Sequence, residues 1–476
     1  MKNKILLSAM LATTLAFTGC QVGEGVKDQA SYAQNKSGLV NATTAAKWIN
    51  NWTANKPANI KGRLFVMQVG LLGGVEGKRF IKHDDVNVYT FDRTAGCTTT
   101  GDTRNDGVSS IPMPIFAGGM TGMDGAFWAY DIDPVDDMLL VLVASDDPKN
   151  MALATRFLWT MNYWGMKKDH VSIMNGTAAY MFDPELNPKI KLAGVNSVEE
   201  MFVANDSTYL MGFGGKLFYG DPSTNTPPAQ RMHAQSIKVL TAPTQFNLFA
   251  SMGDMMEAAS GSHDGYVILD GRSAAEYHPT FKEDGSLTKA SKTEYQNCGV
   301  DKNEQCYTAF EGHIKGAENV EYRSVINTED FTKDINHDGV VDTKDASMAF
   351  KSIDKLTDVF DEAGYEAGDT VYTYCRTGTR ASLLTYASFE ALGYKTSMYD
   401  GSWIQWGKMT SAAGIVDTNG NGFLTTDKWR TDTTAYSEEI TYNTNSLYVG
   451  AINPDLHEDA DATDAILIED TAYKAN

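Results

Sequence analysis

The segment Tyr372-Thr373-Tyr374-Cys375-Arg376-Thr377-Gly378-Thr379-Arg380-Ala381-Ser382 sets a cysteine at the C-terminal end of an expected buried strand, ahead of a short basic loop that opens a helix. Open α/β sheets place ligands at such strand ends. Backbone N–H groups of the loop, the helix start and the charges of Arg376 and Arg380 all favour a thiolate. A thiolate in an anion cradle can attack an electrophilic sulfur and hold the product as a persulfide, and no separate general base is then required. The alternative for a cysteine in this position is a buried, inert thiol.

A second pattern concerns oxygen donors. Asp334-Ile335-Asn336-His337-Asp338-Gly339-Val340-Val341-Asp342-Thr343-Lys344-Asp345 offers side-chain oxygens from Asp334, Asn336, Asp338, Asp342 and Asp345 at loop positions 1, 3, 5, 9 and 12. Val340 contributes its carbonyl at position 7, and Gly339 stands at the sharp turn. This is similar to an EF-hand or dockerin calcium loop, with Asp in place of the bidentate Glu at position 12. A plain acidic turn is the alternative. A weaker loop begins at Asp417 and continues through Asn419, Asn421, Phe423 and Thr425, but Lys428 takes its position 12. Calcium in either loop is expected to stabilise the fold and pin an insertion ahead of a helix at 347–363.

The elements that must position these residues come in two ordered sets. The apolar run Leu64 to Gly70 is matched by Val267-Ile268-Leu269-Asp270-Gly271-Arg272, and Gly118 to Met123 by Gly312 to Ala317. The strand Leu139 to Ala144 is matched by Val371 to Tyr374. The helices 151–164 and 380–392 precede Gly165 and Gly393, suited to C-capping, and the strands Val171 to Gly176 and Thr396 to Gly401 follow. This order indicates an internal duplication. Strands alternating with helices predict an α/β fold with two domains, each a mostly parallel sheet flanked by helices. The linker composition of 221–228 puts the boundary near 220–245. The aromatic run Phe157 to Trp164 is read as core packing.

The second set resembles the rhodanese family of sulfurtransferases over about residues 250–410. Cys375 to Arg380 looks like the family's six-residue loop, Asp270-Gly271-Arg272 like its first-strand Asp-x-Arg, and Gly312-His313-Ile314-Lys315-Gly316-Ala317 like its Gly-His-Ile-x-Gly-Ala segment. Tyr399-Asp400-Gly401-Ser402-Trp403 with Trp406 resembles its closing region, with Ser402 where a second Gly is usual. The resemblance implies that Cys375 carries the sulfane sulfur. It also implies that Arg272 and Arg376 bind the anionic end of the donor, and that the amides of Arg376, Thr377, Gly378, Thr379 and Arg380 line the cradle. His313 is then structural. Phosphatase-type loops use Cys-x5-Arg, whereas Ala381 stands there and Arg380 lies one residue earlier, which favours sulfur over phosphorus. Arg376 directly after the cysteine favours a small dianion such as thiosulfate. The first set resembles an inactive rhodanese domain: counting back from Gly165 lands near Ser145-Asp146-Asp147 with no cysteine, and Gln68 and Gly70 replace Asp270 and Arg272. Its expected job is to form one wall of the cleft.

Composition frames these expectations. With 476 residues, 42% hydrophobic and 21% charged, the chain can bury more than one core. A net charge of -21 without a basic cluster argues against nucleic acid. Lys2 and Lys4, an apolar stretch and Phe17-Thr18-Gly19-Cys20 resemble a bacterial lipoprotein signal, which implies lipid on Cys20; an ordinary signal peptide with an incidental cysteine is the alternative. The expected order is a signal at 1–19, a tether at 20–41, an inactive rhodanese-like domain at 42–235, a catalytic domain with the calcium-loop insertion at 236–412, and an extension at 413–476. Cys298 and Cys306 are expected to pair in an oxidising compartment. Cys97 is open between a buried thiol and a resolving thiol. The expected partners are a small anionic sulfur donor, a thiol or cyanide acceptor, and a membrane met through lipid alone; the chain is expected to be a monomer in the bacterial envelope, lipid-anchored at the outer membrane, without an organic cofactor. Two other functions compete: a non-catalytic persulfide or polysulfide carrier, and a calcium-stabilised envelope binding protein.

Overall fold

The computed structural model describes residues 29–32, 38–70, 79–81, 87–92, 102–105, 110–113, 133, 135–144, 148–163, 166–193, 202–204, 245–250, 252–260, 264–278, 312–336, 338–403, 406 and 431–432. Cys20, Cys97, Cys298, Cys306, the loop from Asp417 to Thr425, the linker at 221–228, and the residues at 118–123, 145–147 and 165 lie outside the described residues.

Two five-stranded sheets carry the fold. In the first, β1 (Leu39–Val40), β2 (Leu64–Val69), β3 (Val88–Asp92), β4 (Met138–Val143) and β5 (Val171–Thr177) lie in the order β1-β5-β4-β2-β3. In the second, β6 (Phe249–Ala250), β7 (Tyr266–Asp270), β8 (Ala317–Asn319), β9 (Thr370–Tyr374) and β10 (Lys395–Tyr399) lie in the order β6-β10-β9-β7-β8. The two orders are the same plan, and every pairing is parallel. All six residues of β2 and of β4 are buried, as continuous apolar strands of a parallel sheet covered on both faces should be. The sheets are therefore the α/β architecture that the alternation of strands and helices predicts.

Helices close each sheet. The first helix, α1 (Ala42–Asn50), starts where the Asn41 side chain accepts the Thr44 N–H at 2.9 Å. The long helix α2 (Pro148–Tyr163) is buried along most of its length because it lies between the sheets. Its counterpart α3 (Ala381–Tyr386) runs into a π-helical turn at Ala387–Leu392 and ends at Gly393, left-handed at φ 73°. One apolar core joins the two sheets, with Met67, Val141 and Phe157 from the first and Leu383, Leu384 and Val371 from the second.

The helix expected from residue 347 begins later, at α4 (Ile353–Glu362). The residues before it are committed elsewhere. Met348 is left-handed at φ 53°, the Thr177 N–H donates to the Ser347 carbonyl at 2.8 Å, and the Phe350 N–H donates to Asn175 Oδ1 at 2.7 Å. The insertion thus stitches itself to the end of β5. Ile335 and Ala349 join the core of the first sheet, and Lys333 bridges Asp183 at 3.0 Å and Glu185 at 2.7 Å.

Candidate active site

Cys375 follows the last residue of β9 and is 1% exposed. Two backbone restraints hold it from the far side of the turn after β10. The Trp403 N–H donates to the Cys375 carbonyl at 3.0 Å, and the Cys375 N–H donates to Ser402 Oγ at 3.3 Å. Ser402 has φ 52°, a left-handed conformation that costs a side-chain-bearing residue about 1 kcal/mol. That cost explains why the motif favours Gly here, and the hydroxyl offsets it by also donating to the Tyr399 carbonyl at 2.9 Å. The loop then turns through Gly378 at φ 81°, a conformation suited to glycine, and enters α3 with the Ser382 N–H on the Gly378 carbonyl at 3.0 Å.

The structure brings Arg272, Arg376 and Arg380 together and sets carboxylates among them. Arg272, fully buried, bonds Asp270 Oδ2 through Nη2 at 2.6 Å, donates to the Gly312 carbonyl, and lies 4.5 Å from the Trp403 ring. The residue that sequence reasoning missed is Glu276, on the short helix Ala274–Tyr277. Its Oε1 accepts from Arg376 Nη2 at 2.9 Å and from Arg380 Nη2 at 2.8 Å, while Oε2 accepts from Arg380 Nη1 at 2.7 Å. The available signal was the spacing Ser273-x-x-Glu276, a capping box that the structure contains. Burial raises the Glu276 carboxyl, but the hydrogen bond and charge of Arg380, with the charges of Arg376 and Arg272, outweigh it and hold the group well below the usual carboxylate range. Arg380 is in turn held above its ordinary value: burial lowers it, while Glu276 and then the Cys375 sulfur raise it more. Three arginines against Asp270 and Glu276 leave one positive charge, enough to balance one thiolate or persulfide.

Other residues of the motif pack against their neighbours. His313 Nδ1 lies 3.0 Å from the Tyr277 carbonyl and its ring stacks on Tyr277 with centroids 3.8 Å apart. Thr377 and Thr379 are half-buried on the loop, and the Thr379 carbonyl accepts from Ser382 Oγ at 2.7 Å.

The oxygen-rich loop is folded on itself. Asp345 Oδ1 accepts the N–H groups of Ile335 at 2.7 Å and Asn336 at 3.0 Å, and Oδ2 accepts that of Asp342 at 2.9 Å. Asp334 Oδ2 accepts from Gly339 N at 3.0 Å, and Asp338 Oδ1 from Val340 N at 2.9 Å. The Lys344 ammonium sits 3.3 Å from Asp338 Oδ2. The all-oxygen donor set suits a hard cation. Among the described residues, however, no three His, Cys, Asp or Glu side chains are grouped to hold a metal ion.

Residues 254–409 match the family described as Rhodanese-like domain. Among curated proteins, the chain is 35% identical over 102 residues to a candidate thiosulfate sulfurtransferase of Haloferax volcanii, covering 21% of this chain and 29% of that protein. It is 30% identical over 99 residues to the sulfur carrier protein TtuD of Thermus thermophilus, covering 21% of this chain and 28% of that protein. The matched part thus spans less than a third of the length of these relatives. Among solved structures, the Tum1 protein of Saccharomyces cerevisiae aligns with a TM-score of 0.43 at 14% identity, over 77% of this chain and 94% of that one.

Proposed function

We propose that the rhodanese-like domain formed by residues 254–409 makes this chain a sulfurtransferase that works through a persulfide on Cys375. The observation that carries this reading is the placement of Cys375 at the end of a central parallel strand, in a loop whose Arg376 and Arg380 join Arg272 in a cluster with one more positive than negative charge. In the first half-reaction the Cys375 thiolate attacks the sulfane sulfur of thiosulfate. A Cys375 Sγ–S bond forms, the S–S bond of thiosulfate breaks, and its electron pair leaves with sulfite. In the second, cyanide or a thiolate attacks the outer sulfur, the Sγ–S bond breaks, and the thiolate returns. The positive balance of the cluster stabilises the anionic sulfur in both resting and loaded states. Incubation with thiosulfate and cyanide should yield thiocyanate, and Cys375→Ser should reduce the yield to background; turnover surviving that change overturns the reading. The similarity to a sulfur carrier favours a second reading, in which mass spectrometry finds a persulfide on Cys375 but no small acceptor removes it.

The first sheet serves, on this reading, as an inactive rhodanese-like partner. We further propose lipid on Cys20, a Cys298–Cys306 disulfide, residence in the bacterial envelope, and calcium in the loop of Asp334 to Asp345. Calcium there requires the Lys344 ammonium to leave Asp338. Melting with calcium against chelator tests it: a calcium-dependent rise that Asp338→Ala removes supports the site, and no rise overturns it.

A further inference from the structure

The sheet without a cysteine sends one charged side chain under the cysteine loop. Arg156, on α2, is fully buried and ion-paired with the fully buried Asp400, which follows β10 in the other sheet. A Cβ placed on Gly378 would lie 2.6 Å from Arg156 Nη1 and 2.6 Å from Asp400 Oδ1, so the ion pair lies directly against the middle of the loop. The same Nη1 is 3.8 Å from Met398 Sδ. The guanidinium is oriented from its own side by the Trp159 ring, 4.7 Å away, whose Nε1–H donates to the Leu248 carbonyl at 2.9 Å.

We infer that Arg156 is a positioning residue for Cys375, supplied by the sheet that lacks the chemistry. It reaches the cysteine along two routes. Through Gly378 it bounds the loop three residues after the sulfur. Through Asp400 it fixes the turn whose Ser402 hydroxyl and Trp403 N–H hold both backbone groups of Cys375. A planar fork can meet Asp400, Gly378 and Met398 at once, whereas an ammonium is a single point of charge. The contact of α2 with α3 is reinforced by Ser382 Oγ, which lies 3.0 Å from Thr155 Oγ1 and 2.9 Å from the Ala152 carbonyl oxygen.

This inference rests on the sulfurtransferase reading for its kinetic readout, but alkylation of Cys375 by iodoacetamide reports loop geometry without turnover. The paired variant Arg156→Met with Asp400→Asn removes both buried charges together and avoids stranding one of them. With the fold intact by circular dichroism, it should lose ~10-fold to ~100-fold in kcat with KM within about threefold, and alkylate ~10-fold more slowly, because misplacement by an ångström costs rate more than binding. Arg156→Lys should lie between it and the parent in both rates. Lys168→Met breaks a different charged contact between the halves, to Glu390 at 3.2 Å, and should lower the melting temperature without changing either rate. A folded paired variant with parental kcat and alkylation rate overturns the proposal, and so does an equal loss of both rates in Lys168→Met. Should the paired variant not fold, Arg156→Lys decides: rates equal to the parent overturn the proposal, and a few-fold slowing of alkylation supports it. An inactive parent would sink the sulfurtransferase reading, while the alkylation series would still test Arg156.

Discussion

The two sheets share one strand order and differ at one strand end. Pairing of β2 with β4 sets Gln68 against Leu142, and pairing of β7 with β9 sets Asp270 against Tyr374. With Gln68 in the place of Asp270, the residue matching Cys375 is Val143, fully buried, and the residue matching Asp400 is Asn175. Counting back from Gly165 points instead to Ser145-Asp146-Asp147, two to four residues further on, because α2 is 16 residues long whereas the helical run Ala381–Leu392 has 12. Each of these strand ends receives a group from the other half. Asn175 Oδ1 takes the Phe350 N–H of the insertion, a neutral plug, whereas Asp400 takes the Arg156 guanidinium beside the cysteine loop. The shared scaffold thus carries two different strand ends, and the proposed chemistry asks for the thiol together with the charge cluster around Glu276.

The largest expected effect tests that requirement. Moving the thiol alone, by Val143→Cys in a Cys375→Ser background, should restore no thiocyanate formation, since Gln68 and Gly70 replace the aspartate and arginine of the other sheet. Measurable recovery would show that strand-end placement suffices and would break the distinction between the sheets.

Next in size is the loss of the clamp. Glu276 is 3% exposed and holds two arginines, so Glu276→Gln should cost about 3 kcal/mol, the lower end for breaking a buried pair because the Arg380 side chain is 21% exposed. The carboxyl is held below its unfolded value of 4.5, so its contribution is fully present above about pH 4.5 and is lost as pH falls toward the folded value. Urea unfolding should therefore show a gap between parent and variant that shrinks on acidification. A gap constant with pH would mean that the clamp acts through shape alone.

Much of this arrangement could be read from residue order. The duplicated plan, the parallel strands and the cluster around Cys375 follow from apolar runs, glycine stops and the motif residues. Long-range partners could not be read that way. Glu276 appears in the sequence as a helix cap, and only the return of the chain from β9 brings Arg376 and Arg380 onto it. Arg156 looks like a lone polar residue in an aromatic helix, because its partner Asp400 lies 244 positions away in the other half. The carboxylate partners of the arginines expected to bind an anion are likewise not revealed by spacing along the chain. Residues 347–350 have a helical composition but are drawn into bonds with β5.

The smallest effect contrasts a second buried carboxylate with the first. Glu390 lies where the halves meet, with Asn162 Nδ2 on Oε1 at 3.1 Å and Lys168 Nζ 3.2 Å from Oε2. Burial raises its carboxyl, and the single Lys168 only partly offsets that, whereas Glu276 has arginines enough to reverse the same penalty. The sign of the pH effect is therefore opposite. With the folded value above the unfolded 4.5, the native state holds the proton more tightly, so this group's stabilisation is greatest below about pH 4.5 and declines as pH rises through the folded value. Glu390→Gln should shift stability by no more than about 1 kcal/mol, since the Lys168 side chain is 50% exposed and its pairing is screened. The shift should favour the variant more at pH 7 than at pH 4.5 in urea unfolding. A shift favouring the variant more at the lower pH would place Glu390 with Glu276 as a charge stabilised by its neighbours, and the two carboxylates would no longer mark different electrostatic environments.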